Sequence, residues 1–260
     1  MIPNLIIGDL MIDCANAEHA RNFYANLMGL EKTVSYDCPA LKTDNGMMIL
    51  FAETDVPYAP PVWPEEPGKQ QKQMHLDFVV DDLPAAVEEA IRLGAAKPAE
   101  QYGDYYVTLL DPEGHPFCLC RRSEEKSDFD LYYEKRGWGK IPDISVMIDC
   151  QKTETLRAFY ARLTDWDQGF HDSVLIPENK MIICFMESDG DFDYVPPVWP
   201  EEPGKQQKQM HFNFQVDDLP SAVEEAIRLG AAKAAAQYGG ARFVTLLDTE
   251  GHPFCLCARK

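Results

Sequence analysis

The sequence predicts an α+β fold in which four β-α-β-β-β modules build curved mixed sheets, with helices on their convex faces. Three observations predict it. The stretch PPVWPEEPGKQQKQMH occurs twice, ending at His75 and at His211. Residues 60–120 match 196–257 almost without change, and IDCANAEHARNFYANL at 12–27 parallels IDCQKTETLRAFYARL at 148–163. Self-similarity at this scale marks a tandem duplication. Within each copy, a strand–helix–strands order, read as β-α-β-β-β, then runs twice. The expected division is one domain over 1–124, a linker over 125–140 and a second domain over 141–260.

The first module opens with a strand over LIIGDLMIDC, followed by a helix over NAEHARNFYANLMG and strands near 33–36 and 47–53. The second opens with QMHLDFVV, then a helix over LPAAVEEAIRLG and strands near 105–110 and 116–121. Ala20, Phe23, Tyr24 and Leu27 line one helix at helical spacing; Leu83, Val87, Ala90 and Ile91 line the other. Asp82 suits an N-cap, Pro84 the first turn, and Gly94 the position past the end. DPEGHP at 111–116 has turn chemistry, with His115 and His252 expected on its surface. KQQKQ at 69–73 and 205–209 reads as a solvated loop from which Lys72 and Lys208 reach toward an anionic ligand. The linker carries Phe129, Leu131, Tyr132, Tyr133 and Trp138, too much apolar surface to leave in water.

Composition narrows the partners. The chain has 24 Lys+Arg against 43 Asp+Glu, a net charge of −19, which disfavours nucleic acid and anionic membrane surfaces. MIPNLIIGDL reads as a first strand, not a signal peptide, and no apolar run is long enough to span a bilayer. The eight cysteines include no CxxC pair and sit mostly in apolar runs, as expected of reduced thiols in a cytoplasmic protein. The expected partner is a small molecule, and the expected state a monomer or homodimer.

Strand alternation assigns faces. In QMHLDFVV, Leu76, Phe78 and Val80 turn toward the helix, leaving His75, Asp77 and Val79 opposite. In GDLMIDC, Asp9, Met11 and Asp13 lie opposite Leu10, Ile12 and Cys14. A mixed polar and apolar face suits a ligand cavity better than a dry core.

The paired modules, FY late in the first helix, a His opening the second module, and the closing DPEGHPFCL resemble the vicinal oxygen chelate superfamily, nearest its glyoxalase and bleomycin-resistance-like members. The resemblance covers both copies. It implies that two modules curl into a cup holding the site. In the family's metalloenzymes, His and Glu facing the cup hold a divalent metal such as Zn, Ni, Fe or Mn. Carried onto this sequence, the first strand's usual His is Asp9 and Ser145. The second module's His is kept as His75 and His211, and the two Glu positions fall at Leu50 and Cys184 and at Cys118 and Cys255.

The departure from that ligand set implies no resident cofactor. A Cys184–His211–Cys255 zinc site is the alternative, weighed against three small apolar-facing side chains. Asp9, His75 and Asp77 are the catalytic candidates, with solvated strand-end carboxylates as the bland alternative. Met11, Asp13, Trp63, Cys118, Met147, Trp199, His211, Asn213 and Gln215 are the candidate ligand-binding residues. Each tryptophan either closes over a planar ligand or covers the seam between sheet and helix. Three functions follow in order: binding of a small organic molecule without the family's metal; a divalent-metal-dependent lyase, isomerase or dioxygenase with altered ligands; and a degenerate scaffold.

Overall fold

The computed structural model describes residues 1–138, 140, 142–169, 171–188 and 193–259. The first module runs β1 (Ile6–Cys14), α1 (Ala17–Met28), β2 (Glu31–Ser35), β3 (Cys38–Lys42) and β4 (Met48–Glu53). The second runs β5 (Met74–Val80), α2 (Leu83–Arg92), β6 (Tyr106–Leu110) and β7 (Pro116–Arg121). The linker holds a helix, α3 (Asp128–Arg136). The third module is β8 (Ile144–Cys150), α4 (Thr153–Leu163), β9 (Val174–Leu175) and β10 (Ile182–Glu187). The fourth is β11 (Met210–Val216), α5 (Leu219–Leu229), β12 (Ala232–Lys233), β13 (Phe243–Leu247) and β14 (Pro253–Ala258).

The modules pair across the repeat. One sheet has the order β12-β13-β14-β11-β1-β4-β3-β2, joining the first module to the fourth. The other has the order β6-β7-β5-β8-β10-β9, joining the second to the third. The seams are antiparallel: His211 lies opposite Met11, and His75 opposite Met147. A register shift between Ile7 and Asp9 falls at Gly8, where a Cβ would stand 2.9 Å from the Gln215 side chain. Each sheet therefore draws strands from both sides of α3.

The helices form where capping and periodicity agree. Asn16 and Asp82 accept from the backbone amides of His19 and Ala85, supplying the first turns with acceptors. The apolar stripes of the helices then bury against both sheets in one continuous core. Tyr24 stacks on Phe51 of one sheet and meets Phe78 and Phe117 of the other. Tyr160 does the same with Phe185, Phe214 and Phe254. The helix-facing sides of the two sheets thus share a core, which leaves the other face of each sheet for a cup.

Burial corrects two expectations. KQQKQ is not a solvated loop: Gln71, Lys72, Gln73 and Gln206 to Gln209 are buried. The two copies of the segment bond to each other. Gln71 N donates to Gln206 Oε1 at 2.8 Å, and Gln206 Nε2 returns to Gln71 O at 2.9 Å. Gln207 N donates to Gln70 Oε1 at 2.8 Å. Glutamine carries both donor and acceptor, so it can satisfy two backbones that meet outside a regular ladder. The histidines of the turns are also buried, at 0% and 3% exposure. His115 meets Tyr58 at 2.7 Å and His252 meets Tyr194 at 2.7 Å. Gly114 is needed in the first turn: its φ is +90° and a Cβ would lie 2.6 Å from Pro60.

The linker packs, as its aromatic content predicts. Ser127 and Asp130 form a capping box, and Tyr133 is fully buried against Val174, Ile176 and Ile182. Among the described residues, no helix is long and apolar enough to cross a membrane.

Candidate functional site

A cavity of about 690 Å³ opens on the face of the second sheet that points away from the shared core. Alternation along β5 builds its floor. Leu76 and Phe78 are buried in the core, while His75 and Asp77 line the cavity. Cross-strand pairing adds Cys118 of β7 beside Asp77 and Met147 of β8 beside His75. His75 is 7% exposed. Its Nε2 stands 3.3 Å from Asp77 Oδ1, outside hydrogen-bond geometry, and its Nδ1 has no hydrogen-bond partner. The His75, Asp77 and Cys118 donor atoms lie within 4.8 Å of one another.

The walls are aromatic and acidic. Trp63 meets Tyr102 edge-on at 5.9 Å, and Tyr105 and Tyr106 line the same cavity. The indole Nε1 of Trp63 is buried and unpartnered. Lys72 sits 5.5 Å over the Trp63 ring and forms a buried ion pair with Asp149, contributed by the other repeat. Glu65 and Glu187 complete the polar rim. Beyond the cavity, α3 covers the rest of this face: Cys184 of β10 packs in the cluster around Tyr133.

Electrostatics separate the thiols from the other donors. Burial pushes the Cys118 thiol up to about 12, with the Asp77 carboxylate adding to the shift. Burial likewise raises Cys184 to about 12, again with Asp77 adding. A thiol so placed is a small neutral side chain unless a cation draws off its proton.

The first sheet carries the related arrangement. Asn213 Nδ2 donates to Asp9 Oδ1 at 2.5 Å across the β1–β11 seam. Burial raises the Asp9 carboxyl to about 6, against the lowering effect of that hydrogen bond. His211, opposite Met11, is held well below the ordinary histidine range by burial and by the Lys208 ammonium. Lys208 pairs with Asp13 and lies 3.3 Å from Glu201. Burial works against its charge, but those carboxylates outweigh it and keep it protonated. Trp199 lies under Lys208 and donates to Ala236 O at 3.1 Å, so its indole closes a seam. Burial raises Cys255, opposite Asn213, to about 11. Gln215 sits against Gly8.

The structure brings His75, Asp77, Cys118, Met147 and Trp63 together around one cavity. It places Asp9, Met11, Asp13, Trp199, His211, Asn213 and Gln215 with the other sheet. The grouping of Asp9 with His75 and Asp77 is therefore divided between sheets. The Cys184–His211–Cys255 set is divided too, because β10 belongs to one sheet and β11 and β14 to the other. Sequence reasoning missed the Lys72–Asp149 pair and the wall of Tyr102, Tyr105 and Tyr106. The density of tyrosine in QYGDYY was the available signal for the wall. The ion pair had none, because its members come from different repeats.

The profile of the glyoxalase-like domain matches residues 9–120 and again 145–257. No relative was found among curated protein sequences. Glyoxalase I from Zea mays is similar in structure, with a TM-score of 0.58 at 13% identity, covering 98% of this chain and 92% of that one. A mutant of the same maize enzyme gives a TM-score of 0.59 at 13% identity, covering 98% and 94%. A putative dioxygenase from Bacillus subtilis gives 0.55 at 12% identity, covering 97% and 84%. At such identities these likenesses concern the fold.

Proposed function

We propose, from the premise that this chain belongs to the glyoxalase-like domain family, that it binds a small organic molecule in the cavity over β5, β7 and β8. One observation carries the reading. His75 Nδ1, Asp77 Oδ1 and Trp63 Nε1 are buried without hydrogen-bond partners around one aromatic-walled hollow, and an unpaired buried polar atom is costly. A ligand that hydrogen-bonds to the floor and packs on the rings meets both needs. His75 and Asp77 orient it, Trp63 closes over it, and the Lys72–Asp149 pair stiffens the floor. The setting is the cytoplasm, where the eight free thiols remain reduced. A thermal-shift screen of aldehydes, aromatic metabolites and antibiotics tests the reading. A compound that stabilises the chain is expected to lose at least about tenfold in affinity on His75→Ala or Trp63→Ala. Unchanged affinity in both variants would move the ligand elsewhere.

The closeness of His75, Asp77 and Cys118 favours a second reading, a divalent cation on those residues. Nitrogen, oxygen and sulfur donors suit zinc, which bound there would supply Lewis-acid chemistry of the lyase, isomerase or dioxygenase kind. Cobalt titration distinguishes the readings: thiolate-to-cobalt absorption that disappears in Cys118→Ser supports the second. Far less than one tightly held ion per mildly purified chain supports the first.

A further inference from the structure

We infer that the cavity over β5, β7 and β8 selects an organic cation, an ammonium or quaternary nitrogen borne on a flat apolar body. The inference rests on the reading that this cavity takes a small organic molecule, and it names the ligand's charge. Among the described residues, four carboxylates line the hollow, those of Glu65, Asp77, Asp149 and Glu187, against the single ammonium of Lys72. That ammonium is already committed to Asp149 in a buried pair. The surplus is negative, and low-dielectric walls focus its field into the opening. The rings of Trp63, Tyr102, Tyr105 and Tyr106 supply the other half of a cation site, since aromatic faces attract positive charge. Each of the repeated Pro-rich stretches already uses this attraction: Lys72 lies 5.5 Å over Trp63, and Lys208 lies 5.1 Å over Trp199.

The floor agrees. His75 is 7% exposed with Nδ1 unpartnered, and Asp77 Oδ1 beside it accepts no hydrogen bond. An anion would face Asp77 and could recruit Lys72 only by stripping Asp149 of its partner, leaving a buried lone carboxylate. A neutral guest would leave the charge surplus unanswered. The repeat offers an internal contrast. The positions equivalent to Asp77 and Tyr105 are Asn213 and Arg242, so the other copy lacks one of the carboxylates and carries a cation in place of one of the rings.

Three isosteric phenols test the charge on the full chain: (4-hydroxyphenyl)trimethylammonium, 4-tert-butylphenol and 4-hydroxybenzenesulfonate, titrated by ligand-observed NMR. The cation is expected to bind about tenfold or more tightly than the neutral phenol. Its affinity is expected to fall as salt rises. Asp77→Asn is expected to reduce the cation-over-phenol ratio about tenfold, and Glu187→Gln, on an exposed wall, to reduce it by less. Equal or tighter binding of the phenol or the sulfonate overturns the charge assignment while leaving an organic-molecule cavity in place. An unchanged ratio in a folded Asp77→Asn also overturns it. If none of the three binds, both the assignment and the reading beneath it fail.

Discussion

The Tyr24 hydroxyl donates to Asp111 Oδ2 at 2.8 Å across 87 residues of chain. The bond ties the middle of α1, in the first sheet's module, to the turn before β7, in the second sheet. Tyr160 repeats it with Asp248 at 3.0 Å. Asp111 Oδ1 also accepts from the amides of Glu113 and His115, both at 2.9 Å, so one carboxylate shapes the turn and holds the helix. Glu113 then accepts from the amides of Ala15 and Asn16 at 3.0 Å, fastening the same turn to the start of α1. The FY and DPEGHP motifs are the two ends of one latch.

Tyr24→Phe is expected to destabilise the chain by about 1–3 kcal/mol, because it leaves a fully buried carboxylate short of a donor while preserving the ring. Urea unfolding of the variant measures it, and the midpoint should fall with the slope unchanged.

Lys72→Met removes the ion-pair partner that Asp149 has among the described residues, and both side chains are at most 10% exposed. Breaking such a pair costs about 3–5 kcal/mol. Replacing both members, Lys72→Met with Asp149→Leu, should recover much of the loss. Equal stabilities of the single and double variants by denaturant titration would contradict the burial argument.

Asp9 gives the stability a pH-dependent component. Burial lets its carboxyl keep a proton up to about pH 6, against 3.8 when unburied. Between these values the folded state binds more protons than the unfolded state. The stabilising contribution is full below the lower value and is lost as pH rises through the upper one. The difference in stability between Asp9→Asn and the unaltered chain should therefore rise with pH across that window, by up to ~1.4 kcal/mol per pH unit. Carboxyl-carbon NMR should place the Asp9 titration near 6 directly.

The thiols should be inert in the native state. Cys118 is pushed up to about 12 and Cys255 to about 11, chiefly by burial. A disulfide reagent at neutral pH is expected to react with these two only after unfolding in denaturant. Prompt labelling of either in the folded chain, located by mass spectrometry, would show their environment to be open.

Much of the site could be read from local pattern. Alternation placed His75 and Asp77 on the face opposite Leu76 and Phe78, and the structure keeps that division. Other features left no local trace. Gln71 and Gln206 read as solvent-facing because glutamine usually is, yet the Gln206 side chain satisfies both the N–H and the C=O of Gln71, and the Gln71 side chain bonds Asp193 O and Val195 N. His115 sits in a polar turn and is nonetheless fully buried, because Tyr58, from the loop between β4 and β5 and far away in sequence, covers it.

The sequence by itself determined the duplication, the order of strands and helices in each module, and which side chains share a strand face. These follow from periodicities that a few residues set. Only the tertiary structure decided that the first module joins the fourth and the second joins the third, and hence that Asp9 sits with Asn213 while His75 sits with Met147. Four similar modules offer near-identical strand edges, so local pattern cannot choose among partners. The choice belongs to long-range hydrogen bonds and to the shared burial of both sheets against the helices.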